Sequence, residues 1–287
     1  MVDPEKKPDW IRVRAPGGEE WKKVQSIIDQ RGLHTVCDEA KCPNKGECWG
    51  MGTATFMILG DVCTRHCRFC GVSTAKTGRT VPDTEAVELA QAVKELDLSY
   101  VVLTSVDRDD LPDRGSNHFA RCISVIKEIN TICKVEALIP DYFGDELLAV
   151  INAMPETIAH NVETVRSLQQ NIRDSRASFD KSLRTLSEVK NIRPDILTKS
   201  SLLLGLGETE DEILSVMDDL RTAKVDILVM GQYLQPSKKQ IPVQEYINPD
   251  IFTRLKNIAL EKDFSYVISS PLARTSYHAH TAYLQRP

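Results

Sequence analysis

Six of the eight cysteines in this chain lie between residues 37 and 70, in two groups of three. The first cysteine group has the spacing C-x4-C-x5-C, and its members are Cys37, Cys42 and Cys48. The second cysteine group has the spacing C-x3-C-x2-C, and its members are Cys63, Cys67 and Cys70. Cysteine thiolates at short loop spacings hold iron–sulfur clusters. Because three cysteines leave one iron of a four-iron cluster without a thiolate, that iron is open to a ligand that takes part in chemistry.

The second cysteine group, which is followed by Gly71, resembles the cluster motif of radical S-adenosylmethionine (SAM) enzymes. In that superfamily the open iron binds the amino and carboxylate groups of SAM. Reduction of the cluster then splits the sulfonium C–S bond and gives a 5′-deoxyadenosyl radical. The cofactor carries the difficult chemistry, and the protein supplies ligands, orientation and exclusion of water. The resemblance therefore implies an enzyme that uses a four-iron cluster and SAM.

Other uses of these cysteines stay open as alternatives. A structural zinc ion takes four ligands, and His66 would complete a set of three cysteines and one histidine in the second group. An electron-transfer ferredoxin with two clusters is another alternative. Such ferredoxins supply four cysteines per cluster with C-x2-C-x2-C spacing, which this sequence lacks. Disulfide-rich domains are short and secreted, whereas these thiols occupy one segment of a long chain. Cys122 and Cys133 stand next to isoleucines, and we expect both in the hydrophobic core.

Strand and helix patterns alternate from residue 53 onward, which predicts βαβ units and a parallel sheet. The candidate strands are residues 55–59, 100–105, 134–139, 157–161, 198–204, 227–232 and 266–269. The candidate helices are residues 83–98, 117–130, 144–153, 178–190, 209–222 and 249–262. About six βα units are too few for a closed eight-stranded barrel. We therefore predict an α/β fold with a partial (β/α)6 barrel of the TIM type, whose ligands gather at the carboxyl ends of the strands.

Composition excludes several classes of protein. The chain has 287 residues, is 41% hydrophobic and 27% charged, and carries a formal net charge of −5, whereas domains that bind nucleic acid usually carry a basic surplus. No apolar run approaches the roughly 18 residues that cross a membrane. Residues 1–7 show no targeting pattern. Unpaired thiols suit a reducing compartment, so the sequence predicts a cytoplasmic protein that binds neither nucleic acid nor a membrane.

The first cysteine group, taken together with Arg274-Thr-Ser-Tyr-His-Ala279, resembles the lipoyl synthase family. Further motifs carry the same resemblance over nearly the whole chain: Lys7-Pro-Asp-Trp10, Thr104-Ser-Val-Asp-Arg-Asp-Asp-Leu111, His160-Asn-Val-Glu-Thr164, Leu204-Gly-Leu-Gly-Glu-Thr209 and Gly231-Gln-Tyr-Leu-Gln-Pro-Ser237. Lipoyl synthases insert two sulfur atoms at C6 and C8 of an octanoyl chain that is linked to a lysine of a lipoyl carrier domain. Their auxiliary four-iron cluster is consumed as the sulfur donor.

The resemblance implies that the first cysteine group holds this auxiliary cluster, with the serine of the C-terminal motif as the fourth ligand. That residue is Ser276, and the hydroxyl of Thr275, where the family usually has another serine, is the alternative. Iron in such clusters favours soft thiolate, so an oxygen ligand suits a cluster that must come apart. We accordingly divide the chain into an N-terminal extension that carries the first group (residues 1–52), a radical SAM barrel (53–270) and a C-terminal segment that closes on the auxiliary cluster (271–287).

The same resemblance implies contacts with SAM and several partners. The candidate contacts, at the mouth of the barrel, are Thr104, Ser105, Asn161, Glu163 and Arg176, of which Arg176 would meet the carboxylate of SAM. A structural role for Asn161 at a strand end, and for Glu163 in the first turn of a helix, stays open. The implied partners are an octanoylated lipoyl carrier domain or H protein, an electron donor such as flavodoxin or ferredoxin, and an iron–sulfur carrier that rebuilds the cluster.

Two alternatives to this function also stay open. One is another radical sulfurtransferase with two clusters, of the biotin synthase or methylthiotransferase type, against which the first spacing and the C-terminal serine motif argue. The other is a zinc- or cluster-bearing interaction module without catalysis. The stretch Leu204-Gly-Leu-Gly-Glu208 lacks both the full G-x-G-x-x-G pattern and a Walker lysine, so we do not expect it to bind phosphate. Its glycines instead predict a close approach of the backbone to a ligand.

Overall fold

The structure, a computed structural model, describes residues 7–13 and 15–284. They form two compact units. Of the described residues, the amino-terminal unit comprises 13, 15–66 and 71–157, and the carboxy-terminal unit comprises 7–12, 67–70 and 158–284. Of the residues in which a targeting pattern was sought, only Lys7 is described. Within the described ranges, no helix is both long and apolar enough to cross a membrane. The division into residues 1–52, 53–270 and 271–287 stays a prediction.

The amino-terminal unit alternates helices and strands. Its elements are α1 (Glu19–Arg31), β1 (His34–Thr35), α2 (Val36–Glu39), α3 (Lys45–Gly50), β2 (Thr55–Ile58), β3 (Val62–Cys63), β4 (Ser73–Thr74), α4 (Glu85–Glu95), β5 (Tyr100–Ser105), α5 (Ser116–Ile129), β6 (Lys134–Leu138) and α6 (Asp145–Asn152). The strand order is β1-β2-β5-β6, with β1 antiparallel and the other pairs parallel. Strands β3 and β4 form a separate parallel pair. Cys122 and Cys133 are buried, as predicted.

The carboxy-terminal unit continues the alternation. Strand β7 (Thr157–Ala159) starts at the last residue of the amino-terminal unit, and a 3-10 turn (Arg166–Leu168) follows it. The remaining elements are α7 (Gln169–Ile172), α8 (Phe179–Ile192), β8 (Leu197–Leu204), α9 (Glu210–Thr222), β9 (Ile227–Gln232), α10 (Pro249–Glu261), β10 (Tyr266–Ser269) and α11 (Ala279–Leu284). Strands β8, β9 and β10 are parallel neighbours. Their apolar side chains pack with those of α8, α9 and α10 into one core.

Helix starts follow local sequence signals. Thr209 and Glu212 form a capping box at the start of α9, in which each side chain accepts a hydrogen bond from the backbone of the other. The Ser178 hydroxyl accepts from Lys181 N at the start of α8. Asn248 caps α10, whose first residue is Pro249, a residue that suits this position because it lacks a donor. These caps explain why the helices begin close to the predicted residues.

Two expectations about local structure were wrong. Residues 1–50 show no clear period in the sequence beyond a short helix near residues 19–30, so we expected the rest of this stretch to be irregular, yet β1, α2 and α3 lie there. Elements of two to six residues are too short to show a period in the sequence. Glu163 was also considered as an acid in the first turn of a helix. Instead it forms a parallel bridge with Leu202 at a φ of 65°, and the nearest helical turn begins at Arg166.

Candidate functional site

The first cysteine group lies in the amino-terminal unit, on two short helices and the turn between them. The hydroxyl of Thr35 caps α2 by accepting a hydrogen bond from Asp38 N (3.2 Å), and Cys37 is buried in this helix. After the turn, Cys42 N donates to Cys37 O at 3.0 Å. Cys48 lies in α3, and its carbonyl oxygen accepts from Thr53 N at 2.9 Å. Local backbone bonds thus hold all three cysteines in one short segment.

The three thiols of the first group interact electrostatically and form no disulfide with one another. The pKa of Cys37 is raised to about 11, mainly by burial and next by the charge of the neighbouring Cys42 thiolate. The pKa of Cys48 is raised to about 12, again mainly by burial and next by the charges of Cys37 and Cys42. Thiols that raise one another's pKa in this way lie close together. Because the thiolate is the metal ligand, metal binding at this group must release protons.

Neither cysteine group is among the described sets of three ligating atoms that lie close enough for one tetrahedral ion. Sulfur atoms that bind one zinc ion at about 2.3 Å lie roughly 3.8 Å from one another. Among the described residues, ligating atoms that lie in threes within 4.8 Å of one another occur at Glu85, His118 and Cys122 and at His34, Glu39 and Asp61, and the first cysteine group does not meet this limit. A four-iron cluster is larger than a single ion and places each thiolate on a different iron. The absence of such a close set among the described residues is compatible with a cluster at either cysteine group.

Aromatic side chains anchor α3 on α1. Trp49 of α3 is fully buried, and its ring centroid lies 5.6 Å from that of Trp21 in α1. The Lys45 ammonium group lies 4.1 Å from the centroid of the Trp49 ring and forms an ion pair with Asp38. Cation–π contacts of this kind contribute about 0.5–2 kcal/mol, depending on burial. The first cysteine group is thus held mainly by apolar and aromatic packing.

Cys63, from the second cysteine group, ends β3 in the amino-terminal unit. Its sulfur accepts a hydrogen bond from Arg65 N at 3.4 Å and lies 3.9 Å from a carboxylate oxygen of Asp107. The N–H and the hydroxyl of Thr64 both donate to Asp107 O, at 2.9 Å and 3.0 Å. The segment that follows Cys63 is therefore tied to the segment that follows β5.

Arg65 is a buried cation surrounded by three carboxylates. Its Nε lies 2.9 Å from Asp109 and 3.3 Å from Asp107, and its Nη1 pairs with Asp141. Burial lowers the pKa of Arg65, but the carboxylates outweigh burial and raise the pKa above its usual range. Sequence reasoning had placed Asp107 and Asp109 after a strand at the mouth of the barrel, but it had not identified Arg65 or Asp141 as site residues. Two signals were present in the sequence. Arg65 lies between the candidate ligands Cys63 and Cys67, and Asp107 and Asp109 come just after a predicted strand.

Cys67 and Cys70, the other members of the second group, lie in the carboxy-terminal unit. The sulfur of Cys67 accepts a hydrogen bond from Asp174 N at 3.3 Å. Cys70 N donates to Cys67 O at 3.1 Å, and Phe69 packs against an apolar cluster that includes Tyr233. N–H donors to sulfur tune and orient cluster ligands. Sulfurs that already accept such bonds, here and at Cys63, fit an iron–sulfur cluster.

Thr104 and Ser105 end β5, as predicted, but their hydroxyls differ. Thr104 Oγ1 donates to Leu138 O at 3.1 Å and so belongs to the sheet. The Ser105 hydroxyl is buried and has no hydrogen-bond partner among the described residues. A buried hydroxyl without a partner costs about 1–3 kcal/mol, which a bound ligand can recover. Of the two, Ser105 is therefore the better candidate for a contact with SAM.

Asn161 and Glu163 form a hydrogen-bonded pair in the carboxy-terminal unit, with Asn161 Nδ2 donating to Glu163 Oε1 at 3.1 Å. Glu163 exchanges backbone hydrogen bonds with β8, donating to Ser201 O (3.0 Å) and accepting from Leu203 N (2.8 Å). A φ of 65° is unusual for a residue other than glycine and occurs often at functional sites. Burial raises the pKa of the Glu163 carboxyl, against the opposing effects of Arg173 and Asn161.

Arg176 lies in the same unit but is paired with Asp174. Its Nε and Nη2 donate to the two carboxylate oxygens at 2.8 Å and 3.0 Å, and its backbone N donates to one of them at 3.0 Å. Asp174 also supplies the N–H that reaches Cys67. Arg176 is thus positioned beside a candidate cluster ligand, and a carboxylate of SAM would share its guanidinium with Asp174.

The C-terminal segment places Thr275 and Ser276 differently. Thr275 is buried, and its hydroxyl accepts from Asn161 Nδ2 at 2.9 Å. Ser276 is half-buried, and its backbone oxygen accepts from Ala279 N at 3.3 Å. Upstream, a Cβ on Gly231 of β9 would lie 2.0 Å from Ala273 O, so this strand position must be glycine for the segment to pack.

The glycines of Leu204-Gly-Leu-Gly-Glu208 serve a packing role. Gly205 has a φ of 91°, and a Cβ there would lie 2.2 Å from Glu245 O and 2.3 Å from the Gln232 side chain. The Glu208 carboxylate accepts from Gly205 N and, at 2.9 Å, from Leu206 N. Because the chain's own carboxylate occupies these N–H groups, the geometry agrees with the prediction that the loop does not bind phosphate. The close approach is to the protein itself.

Comparison with known proteins decides the family. Residues 57–220 match the family model of the radical SAM superfamily. The lipoyl synthase of Methanocella arvoryzae is 48% identical and covers 99% of this chain and 97% of its own length. The lipoyl synthase of Thermus thermophilus is 49% identical and covers 97% and 87%, respectively. The chain belongs to the lipoyl synthase family. Lipoyl synthases are radical SAM enzymes, so a four-iron cluster, SAM and a reductant follow from membership.

Solved structures confirm the fold class of this lipoyl synthase family member. The FeFe-hydrogenase maturase HydG from Carboxydothermus hydrogenoformans has a TM-score of 0.60 at 13% identity, covering 93% of this chain and 60% of that chain. Methylornithine synthase (PylB) has a TM-score of 0.57 at 13% identity, covering 87% and 76%. The predicted α/β fold with a partial barrel is thus confirmed, with a mostly parallel sheet.

Proposed function

We propose that this chain inserts two sulfur atoms at C6 and C8 of an octanoyl group that is linked to a lysine of a lipoyl carrier domain. The observation that carries the proposal is the pair of cysteine groups, six cysteines at two spacings, in a chain that matches lipoyl synthases over nearly its whole length. Two sites for clusters suit a reaction in which one site activates the substrate and the other provides sulfur.

We assign the cluster that binds SAM to the second group and the auxiliary cluster to the first group with Ser276. The hydrogen bonds to the sulfurs of Cys63 and Cys67 support the first assignment. The use of the Thr275 hydroxyl by Asn161, which leaves Ser276 as the hydroxyl ligand, supports the second. When bound, SAM and the clusters would supply the radical that removes two hydrogens and the sulfide that replaces them.

The residues of the chain would bind and orient SAM. Ser105 offers a buried hydroxyl that lacks a partner among the described residues. The Asn161–Glu163 pair offers an amide oxygen and a carboxylate on a backbone held firmly by β8, so these groups suit the amino group or the ribose hydroxyls of SAM. Arg176 offers its guanidinium to the carboxylate of SAM. The pairing of Arg176 with Asp174 would keep it in place before SAM arrives.

The partners follow from the chemistry. The substrate would be an octanoylated lipoyl carrier domain or H protein. An external donor such as flavodoxin or ferredoxin would supply electrons, and an iron–sulfur carrier would rebuild the auxiliary cluster after turnover. These partners are proposed from the family and the reaction, because a cluster that loses sulfide must be restored.

The test is anaerobic reconstitution followed by turnover on an octanoyl-lysine peptide. Iron and sulfide should reach about eight of each per chain, as expected for two four-iron clusters. Mass spectrometry should then show replacement of two hydrogens by two sulfurs in the peptide. One bound zinc without sulfide, or a peptide mass that does not change in the presence of both clusters, would overturn the proposal.

A further inference from the structure

Thr275 and Asn161 are 114 residues apart in the chain, yet they form a direct contact inside the carboxy-terminal unit. Asn161 Nδ2 lies 2.9 Å from Thr275 Oγ1, and the same hydroxyl lies 3.2 Å from Asn161 Oδ1. Thr275 is only 8% exposed, so this contact is shielded from bulk water. A hydrogen bond in such surroundings is costly to break without a replacement partner.

The orientation of the Asn161 amide follows from its second neighbour. Nδ2 also donates to Glu163 Oε1 at 3.1 Å. In this orientation the NH2 group of Asn161, rather than its amide oxygen, faces Glu163 Oε1. The two hydrogens of Nδ2 are therefore divided between Glu163 and Thr275. As a result, the Thr275 hydroxyl fixes the amide that in turn holds the Glu163 carboxylate.

The C-terminal segment reaches Thr275 through backbone contacts with β9. Ser270 N donates to Met230 O at 3.2 Å, and Gln232 N donates to Pro271 O at 3.1 Å. One residue before Ser276, the Thr275 hydroxyl adds a side-chain contact with Asn161, which lies two residues past the end of β7. A contact at this point controls the path of the very next residue.

We infer that Thr275 is a positioning residue. It links the position of Ser276, as a ligand of the auxiliary cluster, to the Asn161–Glu163 pair, which binds SAM. The inference rests on the proposed function, because it takes both of those roles from it. If Ser276 leaves the auxiliary cluster and the segment moves, Asn161 loses its contact with Thr275, and the amide that contacts the Glu163 carboxylate is held less firmly. SAM should therefore bind less tightly when Ser276 is detached from the auxiliary cluster. By thermodynamic linkage, bound SAM should in turn favour the state in which Ser276 is attached.

The experiment compares three variants of the reconstituted holoenzyme, which carries both clusters. Thr275→Val removes the hydroxyl with little change in shape, and Thr275→Ser keeps the hydroxyl. Thr253→Val is the matched control, because the Thr253 hydroxyl donates only to Pro249 O on the exposed surface of α10. The first measurement is the dissociation constant of SAM by anaerobic equilibrium dialysis. The second is the rate at which a ferrous chelator removes auxiliary iron, with and without saturating SAM.

Thr275→Val should raise the dissociation constant of SAM about fivefold, the factor that corresponds to one neutral hydrogen bond of about 1 kcal/mol. In the parent protein and in Thr275→Ser, SAM should slow the loss of auxiliary iron. In Thr275→Val it should not. Thr253→Val should match the parent in both measurements. If Thr275→Val fails to load both clusters, Thr275→Ala tests the same expectation without the added methyl group.

Two results would overturn the inference. One is an affinity for SAM in the hydroxyl-free variant within twofold of the parent value. The other is a Thr275→Ser variant as weak as Thr275→Val, because packing rather than the hydroxyl would then be responsible. Neither result touches the proposed function, which is judged separately by the iron count and the product of the parent protein.

Discussion

The two cysteine groups are held in place by different interactions. Around the first group, α3 is anchored by packing of Trp49 on Trp21 and by the half-buried Lys45. Around Cys63 of the second group, the chain is fixed by the buried Arg65 and its three carboxylates. One anchor is therefore largely apolar and local in sequence, and the other is ionic and joins distant segments.

This difference matches the proposed roles of the two sites. A cluster that binds SAM must keep its position through many turnovers, and a buried ion network with several partners resists rearrangement because breaking it leaves charges unpaired. A cluster that gives up sulfide must be dismantled and rebuilt. A short segment held by local bonds can open without disturbing the rest of the unit.

The largest expected effect is complete loss of SAM cleavage in Cys67→Ala. Removal of this thiolate takes one of three protein ligands from the cluster that would bind SAM. The auxiliary cluster should stay in place, so iron should fall from about eight to about four per chain. Release of 5′-deoxyadenosine, measured by liquid chromatography, should disappear.

Cys42→Ala is the matched variant in the first group. It should still cleave SAM and remove hydrogen from the octanoyl chain, yet form no C–S bond. If this variant still produced the lipoyl product, the assignment of the first group as the sulfur source would be wrong. If it lost SAM cleavage as well, the two groups would not be the separate sites proposed here.

Arg65→Met should have the next largest effect. Removal of the cation leaves Asp107, Asp109 and Asp141 without their shared partner, and breaking a buried pair in this way costs about 3–5 kcal/mol. Thermal unfolding should occur at clearly lower temperature, and the content of the cluster that binds SAM should fall. Arg79→Met is the control. Arg79 pairs with Asp61 at 3.1 Å but is 70% exposed, so its loss should cost at most about 1 kcal/mol.

Arg65→Met and Arg79→Met together decide whether the ionic anchor matters. Equal effects of the two changes would show that the Arg65 network does no more for the site than a surface ion pair. Loss of the auxiliary cluster rather than the SAM-binding cluster in Arg65→Met would reverse the comparison of the two groups.

The main elements of the fold were predictable because their patterns are long enough to read. Strands β5, β9 and β10 have the predicted bounds, since each is an apolar run between polar residues. The strand predicted for residues 157–161 ends at Ala159, because the chain turns toward the positive φ of Glu163. The sequence gives no signal for a positive φ at Glu163, because glutamate rarely adopts this conformation. Helices α2 and α3 were missed because neither completes two turns.

The cysteines of the site were predictable, but their support was not. Spacing alone singles out six thiols, because cluster ligands must come from short loops. A buried Arg65 looks like any surface arginine in the sequence, since its burial depends on aspartates that lie more than 40 residues away. The contact between Asn161 and Thr275 joins residues 114 positions apart, so it becomes visible only in the folded chain.

The smallest expected effect concerns the anchor of the first group. Lys45→Met keeps the length of the side chain but removes the charge that lies over Trp49 and pairs with Asp38. We expect a loss of about 0.5–1 kcal/mol in the free energy of unfolding of the metal-free protein, from a partly exposed cation–π contact. Lys22→Met, which removes an exposed pair with Glu19, should change that free energy by only a few tenths of a kcal/mol.

Lys45→Met should also leave the auxiliary cluster loaded, because the buried Trp49 still packs on Trp21. Iron analysis and denaturant titration of both lysine variants measure these expectations. A cost for Lys45→Met as large as that for Arg65→Met would mean that charge, not packing, anchors the first group. The contrast between an apolar anchor at one site and an ionic anchor at the other would then disappear, although the assignment of the clusters would be unaffected.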